Sequence, residues 1–282
     1  MTRQLVDGVR YEVRVVGDGP PLLLLHGFTG RGAGWGPHLP VLRRRFTTIV
    51  VDLLGHGRSD SPEDPARHAV ERQAADLAEI VRQVAGGPAD VLGYSFGARV
   101  ALMLSMNAPS TVRRLILESP SAGIADPVQR QVRRAADEAL AADLERDGMA
   151  TFVARWEGLN LFADQTRLST AVRRRLHEGR QQNRPSGLAA SLRGAGQGTM
   201  TPLHGRLAEV QAPTLVIVGG LDPVRARSEL VAAHIPGAGL AVVPGVGHAP
   251  HVEAPARFQA IALAFMLAPN SATLTTTAEE IV

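Results

Sequence analysis

The order of apolar and polar positions divides the chain into strands alternating with helices. Tyr11 to Val16 alternates between the two classes, as an edge strand does, and runs into the turn Gly17-Asp18-Gly19-Pro20. Pro21-Leu22-Leu23-Leu24-Leu25 is a continuous apolar run, the pattern of a strand covered on both faces. Further strand-like runs lie at Thr47 to Val51, Asp90 to Leu92, Arg114 to Leu117, Pro213 to Val218 and Gly239 to Val243. Helical spacing falls between them, over Ala69 to Val84, over the apolar Val100 to Leu104, and over Ala256 to Leu267. From Ser121 to about Gly205 no strand pattern occurs. That stretch predicts arginine-rich amphipathic helices over Val128 to Asp147, Met149 to Trp156 and Ala171 to Asn183.

This alternation predicts the α/β class: a mostly parallel central sheet flanked by helices, with a helical cap inserted over the C-terminal edge of the sheet. The expected division is 1–120 for the first part of the core, 121–205 for the cap and 206–268 for the second part of the core. Residues 269–282 are polar, threonine-rich and aperiodic, and are expected to form a mobile tail. No internal repeat is visible.

The chemistry gathers at strand ends. Gly93-Tyr94-Ser95-Phe96-Gly97 joins an apolar strand to a buried helix, which is the context of the nucleophile elbow in the α/β-hydrolase fold. The two glycines remove Cβ atoms that would clash in so tight a turn. Asp222 closes a later strand and His248 follows the last one, giving the order Ser, Asp, His expected of that fold. His248 would take the Ser95 proton, while Asp222 fixes the imidazole tautomer. The loop His26-Gly27-Phe28-Thr29-Gly30 stands where the fold supplies an oxyanion-hole N–H, here that of Phe28. Each piece also has a plain reading as a turn serine, a strand-closing aspartate, a helix-capping histidine or an ordinary loop. Arg99 lies one helical turn beyond Ser95 on an apolar helix, so it needs a partner. Either a structural acid pairs with it, or it binds a substrate carboxylate with its planar fork. His56 reads as structural, His38, His68 and His234 as surface residues, and His251 as near the site without a role.

Composition narrows the classes further. In 282 residues there are 30 Lys plus Arg against 27 Asp plus Glu, a net charge of +3, yet the pI is about 10.3. The chain contains no lysine, so every strong base is an arginine that stays charged to very high pH. The pI therefore signals no nucleic-acid partner. Zero cysteine excludes disulfides and a cysteine nucleophile, and no spacing suggests a metal site. No signal region or long apolar run is present, which gives a cytoplasmic expectation with no membrane partner. The chain is expected to act as a monomer or homo-oligomer without a cofactor.

With these residues in view, the chain resembles the 2-succinyl-6-hydroxy-2,4-cyclohexadiene-1-carboxylate synthases, menaquinone-pathway members of the α/β-hydrolase superfamily. Similarity runs from Leu22 to about Leu267. It is carried by His26-Gly27-Phe28-Thr29-Gly30 with Trp35, Asp52-Leu53-Leu54-Gly55-His56-Gly57, Gly93-Tyr94-Ser95 with Arg99, and Leu117-Glu118-Ser119. It continues through Arg133 with Asp137, Trp156 with Leu161-Phe162, Arg180 through Gly187-Leu188-Ala189, and Gly247-His248. Ala98 stands where the family often has a second glycine.

The resemblance implies Ser95, Asp222 and His248 as the triad, and Arg99, Arg133 and Arg180 as arginines holding substrate carboxylates. Arg133 is placed by its spacing to Asp137, with Arg134 as the alternative. Tyr94, Trp156 and Phe162 are implied as pocket-lining aromatics, with plain core packing as the other reading of the last two. The implied reaction is a carbon–oxygen lyase step: elimination of pyruvate from 2-succinyl-5-enolpyruvyl-6-hydroxy-3-cyclohexene-1-carboxylate, a small-molecule polycarboxylate. Ser95 and His248 would act as base, and the Phe28 and Phe96 N–H groups as oxyanion hole. Two other functions stay open at this stage. One is a serine hydrolase of an ester, lactone or C–C bond in a carboxylated substrate; the other is a ligand-binding protein with an idle triad.

Overall fold

A computed structural model of the chain describes residues 2–269. Eight strands form one sheet in the order β1-β2-β4-β3-β5-β6-β7-β8. They are β1 (Thr2–Val6), β2 (Val9–Val16), β3 (Pro21–Leu25), β4 (Thr47–Val51), β5 (Ala89–Tyr94), β6 (Val112–Glu118), β7 (Thr214–Gly219) and β8 (Gly239–Val243). The pairings β1–β2 and β2–β4 are antiparallel. The other five are parallel. The helices are α1 (Leu39–Leu42), α2 (Val70–Ala85), α3 (Phe96–Asn107), α4 (Pro127–Glu157), α5 (Thr170–Gln181), α6 (Pro185–Ala195), α7 (Arg225–His234), α8 (Pro250–Glu253) and α9 (Pro255–Leu267).

The β3 sequence shows why the sheet is central. Leu23 and Leu25 pack into the cluster containing α2 and α3. Leu22 and Leu24 face the opposite cluster, with Trp35 and with Phe258 and Phe265 of α9. All four leucines are fully buried, so the period of two fills both faces with apolar side chains. A third cluster joins Leu144 and Phe152 of α4 to Leu188 and Leu192 of α6, with Phe28 packed against it. Between β6 and β7 the chain forms helices and no strand. In α4 that path bends at Gly148, whose φ of 75° and ψ of 177° break the helix.

Strand order reverses at β3, which lies between β4 and β5. In a parallel sheet, loops leaving adjacent strand ends at such a switch point diverge to opposite faces and open a crevice. The loop after β3 and the turn after β5 border that crevice. The expected strands recur within a few residues, but β1, α6, α7 and the four-residue helices α1 and α8 were not anticipated. The expected tail lies outside the described residues except for Pro269. Among the described residues no helix is long and apolar enough to cross a membrane.

Candidate active site

Ser95 occupies the turn between β5 and α3 with φ 50° and ψ −104°, a left-handed strain of roughly 1–3 kcal/mol for a residue with a Cβ. Close packing enforces it. A Cβ at Gly93 would collide with the Gly97 carbonyl, and one at Gly97 would lie 2.6 Å from His26 O. Strand pairing anchors the turn through Ser95 N–H to Glu118 O at 2.8 Å.

His248 bridges the other two members. Its Nδ1 lies 2.8 Å from Asp222 Oδ2 and its Nε2 lies 3.0 Å from Ser95 Oγ. With the proton on Nδ1 donated to Asp222, Nε2 is left to accept the serine O–H. Burial alone would raise the Asp222 carboxyl. The His248 hydrogen bond and charge, with the Val224 N–H, outweigh that and hold it below the ordinary aspartate range. The loop carrying the histidine is clipped from below: Glu253 accepts from Gly247 N–H at 2.6 Å and Ala249 N–H at 3.1 Å, and Ser119 Oγ donates to His248 O at 2.9 Å.

The loop after β3 is held just as firmly. Leu53 N–H donates to His26 Nε2 at 3.0 Å, which leaves the ring proton on Nδ1 to be donated to Gly27 O at 2.8 Å. Burial keeps that imidazole neutral by lowering its pKa. Asn183, between α5 and α6, donates to Thr29 O at 2.8 Å and accepts from Gly57 N–H at 2.8 Å. The N–H groups of Phe28 and Phe96 have no hydrogen-bond partner among the described residues. Two unpaired donors flanking a serine are the layout of an oxyanion hole.

Ten of the eleven site residues named from the sequence line one cavity of about 640 Å³, and the eleventh, Asp222, stands behind His248. Phe28, Tyr94, Trp156 and Phe162 line it together. Trp156 lies 5.2 Å from Phe28 and 5.7 Å from Phe162, and Tyr94 lies 5.5 Å from His248, as ring centroids. Burial, then the Glu118 charge, pushes the Tyr94 phenol well above its ordinary pKa, so it stays protonated.

The arginines differ in their company. Arg99 is buried, donates to Ala195 O at 2.7 Å and sits over the Phe96 ring. Among the described residues no carboxylate lies within 4.0 Å of it, so the structural salt bridge of the first reading is not formed. Burial, then the Arg133 charge, pushes its pKa down to about 9 against the opposing pull of Asp137. Arg133 lines the cavity and its Nε donates to Asp137 at 2.8 Å; Arg134 is exposed and does not line it. Arg180 pairs with Glu157 at 2.7 Å and lies over Phe162.

Sequence reasoning missed three further cavity arginines, Arg31, Arg175 and Arg227, and the packing roles of Asn183 and Glu253. Asn183 ahead of Arg184-Pro185 was readable as a helix break, but the loop it holds was not. Two histidines correct the surface expectation. His38 is buried against Trp35 and Phe258, bonded through Nε2 to His251 O at 3.0 Å, and burial drives its pKa to about 4. His68 is buried with Nε2 on Pro62 O at 2.9 Å. Loop histidines find carbonyl partners that periodicity does not reveal. His251 lines the cavity, with Nδ1 2.9 Å from Glu118 Oε1. Among the described residues no cluster of three or more His, Cys, Asp or Glu is placed to hold a metal ion.

Known proteins share this arrangement of elements. A family described as "alpha/beta hydrolase fold" matches residues 20–255. A Bacillus subtilis (strain 168) protein, named provisionally as a 2-succinyl-6-hydroxy-2,4-cyclohexadiene-1-carboxylate synthase, is 38% identical over 265 residues, covering 92% of this chain and 96% of its own length. A solved structure of MenH from S. aureus superimposes with a TM-score of 0.87 at 30% identity, covering 91% of this chain and 97% of that one. A pimeloyl-[acyl-carrier protein] methyl ester esterase of Nitrosospira multiformis is 30% identical over 89% of this chain and 95% of its own.

Proposed function

The chain belongs to the alpha/beta hydrolase fold family, and from that premise we infer that it is a 2-succinyl-6-hydroxy-2,4-cyclohexadiene-1-carboxylate synthase, a lyase rather than a hydrolase. One observation carries the choice within the family. The cavity wall holds six arginines (Arg31, Arg99, Arg133, Arg175, Arg180 and Arg227) and, among the described residues, no aspartate or glutamate. A wall so charged suits a polycarboxylate and gains nothing from a neutral ester. The similarity to the synthase-named B. subtilis protein supports the same choice.

In this reading Ser95 Oγ, its proton drawn to His248 Nε2, removes the proton from the ring carbon that bears the succinyl ketone. The carbonyl becomes an enolate whose oxygen accepts from the Phe28 and Phe96 N–H groups. As the ketone re-forms, the electron pair moves into the ring, the ring double bond shifts by one carbon, and the C–O bond to the enolpyruvyl group breaks. The proton held by the Ser95–His248 pair is returned to the leaving group, which departs as pyruvate. No water and no acyl-enzyme enters. Arginine contacts orient the anion and help confine it beside the base.

The test is pyruvate release from the enolpyruvyl cyclohexene substrate. The protein is expected to raise the rate far above the spontaneous one, and release at the spontaneous rate would end this reading. A second reading, hydrolysis through an acyl-Ser95, is supported by the 30% identity to the methyl ester esterase over 89% of this chain. It predicts rapid p-nitrophenyl ester turnover with an adduct on Ser95 visible by mass spectrometry.

A further inference from the structure

Three guanidinium groups meet around one turn of the cavity wall. Arg99 comes from α3, Arg133 from α4 and Arg227 from α7, and all three line the cavity. The turn Ala195-Gly196-Gln197 links two of them: Arg99 Nη1 donates to Ala195 O at 2.7 Å and Arg227 Nη1 to Gln197 Oε1 at 3.2 Å. Ser121 Oγ reaches the same Gln197 oxygen at 3.4 Å.

The corner is short of negative charge. Asp137, on Arg133 at 2.8 Å, is the only carboxylate ion-paired to any of the three among the described residues. Arg99 and Arg227 have none within 4.0 Å, whereas Arg180 elsewhere in the cavity is matched by Glu157. Burial and then the Arg133 charge lower the pKa of both Arg99 and Arg227, with Asp222 opposing at Arg227. Counting ion-paired groups alone, three cations against Asp137 leave a formal charge of +2, with Asp222 a further anion acting on Arg227 from beyond 4.0 Å. Arg99 is buried, Arg133 half-buried and Arg227 exposed at the rim, so the excess is unfavourable chiefly at the buried end until an anion arrives.

We propose that Arg227 is a carboxylate-binding residue, forming with Arg99 and Arg133 a subsite that takes two carboxylates of the substrate. Nothing in the sequence pattern marked it, because Arg227 lies on the helix after Asp222, far along the chain from the other two. The helix that follows the triad aspartate thus also supplies a substrate contact, coupling substrate seating to the segment that orients His248. The proposal rests on the polycarboxylate reading above.

Its test separates the two claims. Binding of succinate and of its monoamide, succinamate, is measured by calorimetry on the full chain and on Arg227→Gln and Arg227→Lys, with thermal unfolding as a fold control. kcat and KM for pyruvate release are measured in parallel. The wild type is expected to prefer succinate by roughly tenfold or more. Arg227→Gln should lose most of that preference and raise KM roughly ten- to a hundredfold, with kcat within about threefold. Arg227→Lys should keep part of it, because it retains the charge without the fork. A succinate preference in Arg227→Gln within twofold of wild type, or no preference in the wild type, overturns the subsite. Absence of pyruvate release from the wild type would instead strike the lyase reading, and the calorimetric comparison would still decide the subsite.

Discussion

At the scale of single residues, Arg99 carries most of the distinction between a lyase and a neutral-ester hydrolase. It is a buried cation with no carboxylate within 4.0 Å among the described residues, facing the cavity one helical turn after Ser95. Replacing it with alanine should remove a charge-assisted bidentate contact of roughly 2–5 kcal/mol. That is a fall in kcat/KM of roughly 30- to several-thousand-fold. Arg99→Lys should recover only part. Because the charge costs burial energy in the free protein, Arg99→Met should keep the melting temperature near or above that of wild type while activity is lost. An internal salt bridge would have predicted a large drop in Tm. The same residue gives a pH dependence. Its pKa in the free protein is pushed down to about 9, and a bound carboxylate favours the protonated form, so binding above that pH must take up a proton. Affinity for the substrate should hold below about pH 9 and weaken as pH rises through it. Carboxylate affinity that stays flat well beyond 9 would contradict this.

At the scale of elements, the site depends on how the helices between β6 and β7 grip the loop after β3. Asn183 ties the loop after β3, through Thr29 O, to the loop after β4, through Gly57 N–H. Asn183→Ala should cost roughly 1–3 kcal/mol, read as a lower Tm, because two backbone groups lose their partner. It should also lower kcat by roughly tenfold, less than the hundred- to thousandfold that follows loss of a whole oxyanion donor. Equal activity in the variant would show that the loop holds itself. Helix α6 makes a second grip, since a Cβ at Gly187 would overlap Gly55 O and lie 2.5 Å from Ser61 Oγ. Gly187→Val should therefore loosen α6, seen as faster proteolysis between β6 and β7. The elements the sequence did not disclose have physical causes. Helix α6 hides behind glycines chosen for close approach rather than for helicity. Strand β1 is short and exposed on most of its length, so it lacks a strand's burial pattern. Strands β3, β4 and β8 were legible to the residue, since their apolar runs are bounded by turn residues.

At the scale of the whole molecule, the crevice at the β3–β5 switch point receives the turn at Ser95, the loop after β3 and the loop carrying His248 from distant parts of the chain. The order Ser95, Asp222, His248 was readable because each closes or follows a strand, where α/β folds place functional side chains. Arg227 was not, since its approach to Arg133 depends on how α4 and α7 lie in space. The charge is distributed to match. A chain with a net charge of only +3 gathers six arginines and, among the described residues, no aspartate or glutamate onto one cavity wall, a distribution that suits the polyanion proposed for it. The proposed lyase requires Ser95 to act as a base on such a substrate, so the most direct measurement is kcat/KM for pyruvate release by wild type and Ser95→Ala, with intact-protein mass recorded at saturating substrate. The expected result is a loss of roughly a hundred- to ten-thousand-fold in the variant, with no covalent adduct on the wild type. Pyruvate release by Ser95→Ala within threefold of wild type, or an acyl adduct accumulating on Ser95, would contradict it.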